Sequence, residues 1–267
     1  MNKDLSINQL RKSRSPDCLT ASSVGLRSGD DGRDCPYSLS TDPKSPKVAG
    51  LLLAAGQSKR LGYPKQTIAW KNQLTLLEVI GQKLLSTSIH SLWITVNDND
   101  QILQIAQGKS PHVIPLNTIE NKGMGASLKK GLRSILDKFP DLDGCLVASC
   151  DQIFVDTADF QNMLDASMVP KQENILLCSS YGSHFGIPCL IPKLCFADFL
   201  SIPDEVGAKA LLQRYHRKDP SLQSFCEIQS IDLPLAAIDI DTEEDLAFAR
   251  NLLLREPAAQ FTLHHPC

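Results

Sequence analysis

The sequence predicts an α/β protein built on a mostly parallel, doubly wound sheet with helices on both faces. Three observations predict it. From Val48 onward, short apolar runs alternate with longer segments whose apolar residues recur every three or four positions. Several of the short runs are apolar throughout, as strands covered on both faces must be. Polar, glycine- or acid-rich loops follow three expected strands, at the ends where open sheets of this kind bind ligands.

"VAGLLLAA" is the first apolar run and reads as a strand buried on both faces. "TLLEVIGQKLLSTS" places Leu76, Leu77, Ile80, Leu84 and Leu85 on one helical face, with Thr75 positioned to cap it. "SLWITVN" reads as a strand, "DQILQIAQ" as a short helix and "HVIPL" as a strand again. "GASLKKGLRSILDKF" is helical, with Leu128, Leu132, Ile135 and Leu136 in register, and "GCLVASC" is a buried strand ending at Asp151. "DTADFQNMLDAS" is a helix capped by Asp156 or Thr157. "NILLCSS" and "IPCLIP" are strand-like, while "KLCFADFLS" and "GAKALLQRY" are helical. "FCEIQSI" and "LAAIDI" are expected strands that lead into an acid-rich last helix, "TEEDLAFARNLLL". Strands alternating with helices imply parallel pairing, and no internal repeat interrupts the pattern.

Composition bounds the rest. The 267 residues are 42% hydrophobic and 21% charged, as in ordinary globular proteins. Residues 1–47, rich in Ser, Asp, Arg and Pro, cannot bury enough apolar area to offset chain entropy, so they are expected to be a disordered extension. They read as a regulatory tail or as an over-extended start. Residues 48–256 would form the domain and 257–267 a tail. The extension has no signal-peptide core and is too acidic for a transit peptide. No segment approaches the roughly 20 apolar residues of a membrane span. A net charge of −3 and a pI near 6.1 argue against a protein that coats nucleic acid. The nine cysteines include no C-x-x-C pair; Cys145, Cys150, Cys178 and Cys189 lie in apolar runs and read as small buried hydrophobes. An odd count with no export signal points to a reducing, cytoplasmic compartment.

The first polar loop, in "LLLAAGQSKRLGYPKQ", is long and cationic. Gly56 would let the backbone turn and approach a ligand, and Ser58, Arg60 and Lys65 add a hydroxyl and two cations, with Pro64 stiffening the approach to Lys65. Those groups can neutralise a triphosphate, which carries about four negative charges at neutral pH. The loop is not a Walker motif, since G-x-x-x-x-G-K-[ST] is absent. A solvated surface loop is the plain alternative. The second loop begins at Asp151, directly after a buried strand; with Asp156 and Thr157 available as caps, its carboxylate is free to hold a metal. The third is "AAIDIDTEEDL". On a strand, Asp239 and Asp241 would point to opposite faces, Thr242 and Asp245 would form a capping box, and Asp241 could meet Asp151 around Mg²⁺. By itself "DTEED" is equally an acidic helix start.

Taken together, these segments resemble the MobA-like nucleotidyltransferase family, most closely its molybdenum cofactor cytidylyltransferase branch. The first loop matches L-A-A-G-x-S-x-R-x-G-x-P-K-Q, and "NKGMGASLKKGL" resembles G-M-x-x-S-L-x-x-G-L. "CDQ", "FGIPCLIP", "GAKALL" and "DIDTEEDL" follow in the family's order, so the likeness runs from about Val48 to Leu254. It implies a Rossmann-like nucleotidyltransferase fold in which Leu53, Ala54, Ala55 and Gly56 lie against a nucleoside triphosphate. Ser58, Arg60 and Lys65 would hold its phosphates, Gly123 and Ser127 would help read the base, and Asp151 and Asp241 would bind Mg²⁺. It implies CMP transfer from CTP to the phosphate of molybdenum cofactor, with Arg60, Lys65, Asp151 and Asp241 as the catalytic set and a molybdenum hydroxylase as client. His184, Gly186, Pro188 and Lys209 would face the acceptor. Transfer to another small phosphate, whether the guanylyl form of the cofactor, a sugar phosphate or methylerythritol phosphate, stays open, as does a non-catalytic carrier. The chain departs from the family pattern at Ile153, where proline is usual, at Lys209, where arginine is common, and at "WKNQ", which replaces W-x-G. These departures bear on the acceptor more than on the reaction.

Overall fold

The protein is represented by a computed structural model that describes residues 46–254 except 111, 118, 121, 168–173 and 183. The extension expected over 1–47 therefore lies almost wholly outside the described residues, as does the tail expected over 257–267.

Seven strands form one sheet in the order β3-β2-β1-β4-β6-β5-β7. They are β1 (Val48–Ala54), β2 (Ser91–Asn97), β3 (His112–Leu116), β4 (Gly144–Ser149), β5 (Ile175–Tyr181), β6 (His184–Pro192) and β7 (Glu227–Asp232). All neighbours pair in parallel except β6, which runs antiparallel to both β4 and β5. The cause is local. Only positions 182 and 183 separate β5 from β6, and so short a link can join antiparallel strands alone.

Every residue of β1 is buried, and alternation sends its side chains into two cores. Leu52 and Ala54 pack beneath α1 (Leu76–Leu85), α2 (Asp100–Gln107), α4 (Thr157–Ser167) and α7 (Glu243–Leu254). Leu51 and Leu53 face α3 (Met124–Lys138), α5 (Phe196–Ser201) and α6 (Ala208–His216). Two of the expected caps form. Thr75 and Glu78 make a reciprocal capping box on α1, and Thr242 exchanges hydrogen bonds with Asp245 at the start of α7. Cys145, Cys150, Cys178 and Cys189 are buried, and the sulfurs of Cys195 and Cys226 meet, joining the start of α5 to the segment before β7. Among the described residues no helix is long and apolar enough to cross a membrane.

One expected strand is absent. "LAAIDI" does not join the sheet: Pro234–Ala237 make a 3₁₀ turn and residues 238–241 are irregular. Proline suits the first turn of a helix, where its missing N–H is not needed. Placement in the sheet falls instead to β7, which covers the free side of β5. Asp239 and Asp241 therefore do not alternate along a strand as expected.

The sheet order reverses between β1 and β4, with β2 on one side and β6 on the other. Crevices form at the carboxyl ends of strands flanking such a reversal. The loops after Ala54 and Ser149 both open there.

Candidate active site

The loop after β1 is pinned at its root. Gln66 is fully buried and its Nε2 donates to the carbonyls of Ala54 (2.6 Å) and Gly56 (2.9 Å). Asn97, at the end of β2, donates to Gly56 as well, at 3.2 Å. Within the loop, Ser58 adopts a left-handed φ of 49° and its carbonyl accepts from the N–H groups of Leu61 and Gly62. The Ser58 hydroxyl accepts from the Lys65 backbone N–H at 3.0 Å, which carries the chain back toward the sheet. Gly56 does not play its expected turning role. It has no left-handed φ, and an added Cβ would make an ordinary 3.6 Å contact with Lys65 Cε. The tight reversal falls to Ser58 and Gly62 instead.

At the floor of the crevice, Lys65 Nζ lies 2.5 Å from Asp151 Oδ2 and 2.7 Å from Asp241 Oδ1. Lys65 and Asp151 are each only 8% exposed. Arg60 reaches in from the outer part of the loop and meets Asp241 Oδ2 at 2.5 Å. Nearby, Tyr63 ties the same loop to α7 through its hydroxyl, 2.6 Å from Glu243. Two carboxylates distant in sequence thus converge on one cationic atom. Burial works against the Lys65 charge, but the Asp151 carboxylate and the hydrogen bonds to both acids outweigh it and hold the ammonium above its ordinary pKa. Burial likewise opposes ionisation of Asp241, yet the hydrogen bond and charge of Lys65, with Arg60, bring it below the usual carboxylate value.

The opposite wall is the first turn of α3, where Lys122, Gly123, Met124 and Ser127 line a cleft of about 510 Å³ together with Leu53, Ala55 and the loop. That volume falls in the range of small-molecule sites. The segment 203–206 presses so closely on this turn that a Cβ on Gly125 would sit 2.3 Å from the Pro203 carbonyl oxygen. Lys129 ties the same segment down through Asp204 at 2.5 Å.

The residues given to the acceptor are not in this lining. His184 is exposed at the start of β6, and Lys209 is exposed in the first turn of α6. Gly186 lies against the Tyr181 hydroxyl, and the Pro188 carbonyl accepts from Ser179 at 2.7 Å. Gln152, from the "CDQ" segment, connects the two regions: its Nε2 donates to the carbonyls of Ile187 (2.8 Å) and Ala236 (2.9 Å). It braces the Asp151 loop between β6 and the 3₁₀ turn.

Several contributors were missed by sequence reasoning. Gln66 and Gln152 stand inside the matched segments "LLLAAGQSKRLGYPKQ" and "CDQ", yet neither carried an expected role, because each acts by donating to backbone carbonyls; Asn97 lies in no motif. Ser149 had a weak signal, as the one hydroxyl on the inward face of an otherwise apolar strand. Asp239, expected on the strand face opposite Asp241, lies instead in the irregular segment that follows the 3₁₀ turn. Although the residue as a whole is exposed, burial of its carboxyl, followed by the charges of Asp151 and Asp241, pushes it up to about 7. A carboxyl whose folded pKa lies above its unfolded value loses stability for the protein as pH rises from about 4 to about 7. Asp239→Asn is therefore expected to raise the thermal midpoint at pH 8 and to leave it little changed at pH 4, measured without divalent cation.

The donor set suits a hard divalent ion. Asp151 and Asp241 already share one cation, and carboxylate oxygens are the ligands Mg²⁺ prefers. Among the described residues no group of three or more His, Cys, Asp or Glu is arranged to hold a metal. The remaining ligands would have to come from phosphate oxygens and water, which is the usual situation for Mg²⁺ at nucleotide sites.

Known proteins share this arrangement of elements. Residues 50–219 match the sequence family described as the MobA-like NTP transferase domain. Nicotine blue oxidoreductase of Paenarthrobacter nicotinovorans is 34% identical over 91 residues, 34% of this chain and 44% of that protein. The chain spans less than half the length of the curated relatives it matches. Among solved structures, Rv0371c of Mycobacterium tuberculosis in complex with manganese superposes with a TM-score of 0.55 at 20% identity, covering 79% of this chain and 100% of that one. The 4-diphosphocytidyl-2C-methyl-D-erythritol synthase of Anaerococcus prevotii gives 0.59 at 15% identity, covering 79% and 97%.

Proposed function

Because the chain belongs to the MobA-like NTP transferase family, we propose that it is a nucleotidyltransferase that moves CMP from CTP to the phosphate of molybdenum cofactor, with Mg²⁺. The observation that supports this most directly is the convergence of Asp151, Asp241, Lys65 and Arg60 at the floor of a nucleotide-sized cleft. Mere binding of a cofactor by a carrier would not need a complete set of metal-type acids and phosphate-type cations.

In this reading an ionised phosphate oxygen of the acceptor attacks the α-phosphorus of CTP. A new P–O bond forms as the bond to the bridging oxygen breaks, and pyrophosphate leaves. The nucleophile is already charged, so no general base is needed, which is consistent with the absence of histidine from the cleft lining among the described residues. Bound Mg²⁺ would supply charge neutralisation at the α-phosphate. Asp151 and Asp241, which both face Lys65 Nζ, would hold it.

Lys65 and Arg60 would turn to the β- and γ-phosphates once those acids are engaged elsewhere, and would stabilise charge on the leaving pyrophosphate. Gly123 and Ser127, on the wall formed by the α3 turn, would contact the base. The preference for cytosine is supported by Ala55 and by the "GMGASL" segment. His184, Gly186, Pro188 and Lys209 would receive the acceptor on the β6 side, to which Gln152 links the Asp151 loop. A molybdenum hydroxylase would be the client.

Pyrophosphate release measured with CTP, GTP, ATP and UTP, each with and without molybdenum cofactor, tests the proposal. Release with CTP that depends on the cofactor is expected. Cofactor-dependent release with GTP would replace cytidylyl by guanylyl transfer, release only with another phosphate acceptor would change the substrate, and no release with any pair would leave the carrier.

A further inference from the structure

We propose that Ser149 is a positioning residue that holds one oxygen of Asp151, so that this carboxylate presents a single oxygen to a divalent cation. The inference rests on the reading of Asp151 as a metal ligand. The two oxygens of Asp151 have separate partners. Oδ2 faces Lys65 Nζ at 2.5 Å, whereas Oδ1 accepts a hydrogen bond from the Ser149 hydroxyl.

Ser149 is placed for this by strand alternation. It is the last residue of β4, on the face that also carries Cys145 and Val147, and it pairs with Leu53 of β1. Its two predecessors on that face are buried in the core between the sheet and α3, whereas Ser149 stands where that core opens into the cleft. The hydroxyl at this position reaches the carboxylate two residues on.

The consequence is geometric. When a cation replaces the Lys65 ammonium between the acids, Oδ2 is the oxygen turned toward it. The hydroxyl keeps Oδ1 occupied and prevents the carboxylate from rotating into two-oxygen coordination. Groups that orient a ligating carboxylate through its second oxygen commonly contribute 10–100-fold to metal affinity or activity. Ser149 would therefore act through Asp151 without touching nucleotide or acceptor.

The test is Mn²⁺ binding to the full-length protein, followed by the loss of the free-ion EPR signal, for wild type, Ser149→Ala, Ser149→Thr and Asp151→Asn. Ser149→Ala is expected to weaken Mn²⁺ binding about tenfold with an unchanged thermal midpoint. Ser149→Thr, which keeps the hydroxyl, should restore it. Pyrophosphate release should show the same shift in the Mn²⁺ concentration needed, with the KM for CTP at saturating Mn²⁺ unchanged. Unaltered Mn²⁺ binding in Ser149→Ala, or equal weakening in the alanine and threonine variants, would overturn the proposal. If Asp151→Asn also binds Mn²⁺ normally, the metal-site reading itself has failed; if Asp151→Asn loses binding while Ser149→Ala does not, only the role of Ser149 has.

Discussion

Asp151→Asn is expected to lower pyrophosphate release by about 10²–10³-fold, the usual cost of removing one group that stabilises charge in a transition state. The variant should keep its fold. Asparagine has nearly the same volume, and the amide carbonyl can still accept from Ser149 or Lys65. What disappears is the negative charge. Asp241 would then face a cation alone, and one carboxylate holds Mg²⁺ far less well than two. Steady-state release at several Mg²⁺ concentrations, beside a thermal melt, separates the two effects. A rate within a few-fold of wild type would place the metal elsewhere and remove the central support for nucleotidyl transfer at this cleft.

Lys65→Met is expected to produce the second large effect, and it should be visible before any substrate is added. In the ligand-free protein the ammonium compensates two carboxylates, one of them almost wholly buried. Removing the partner of a buried charge costs about 3 kcal/mol or more, which for a domain of this size is a fall in thermal midpoint of roughly 6–12 °C. The fall should be larger at pH 8 than at pH 5, because two repelling acids can share a proton when protons are available. Millimolar Mg²⁺ should then recover much of the loss, since a divalent ion can take the place the ammonium held. In wild type the same addition should do less, because Lys65 already occupies that place. Transfer from CTP should stay low in the variant even with Mg²⁺ saturating. A midpoint indifferent to Mg²⁺ in Lys65→Met would show that the pair of acids does not form a divalent-ion site.

Together these two expectations describe a site that is electrostatically complete before it binds anything. An internal cation pairs with both acids, and under the proposed mechanism the nucleotide's phosphates would offer that cation a new partner once Mg²⁺ engaged the carboxylates. The Lys65 ammonium offsets the cost of burying the Asp151 carboxylate.

The sequence by itself determined the succession of strands and helices, the places where loops open at strand ends, and the polar residues gathered in those loops. These features are written in local chemistry. Continuous apolar runs mark strands covered on both faces, and Thr75 with Glu78, or Thr242 with Asp245, marks a helix start within four residues. Tertiary structure decided the rest. Whether "LAAIDI" could join the sheet depended on β7, which lies along β5 and has no bearing on the local pattern of that segment. That Lys65 would sit between Asp151 and Asp241, that Gln66 and Gln152 would spend their amides on distant carbonyls, and that Ser149 would reach Asp151 Oδ1 all follow from where the chain ends of β1 and β4 meet. A hydrogen bond between residues far apart in the chain is formed by packing, and packing leaves no periodic trace in the residues that make it.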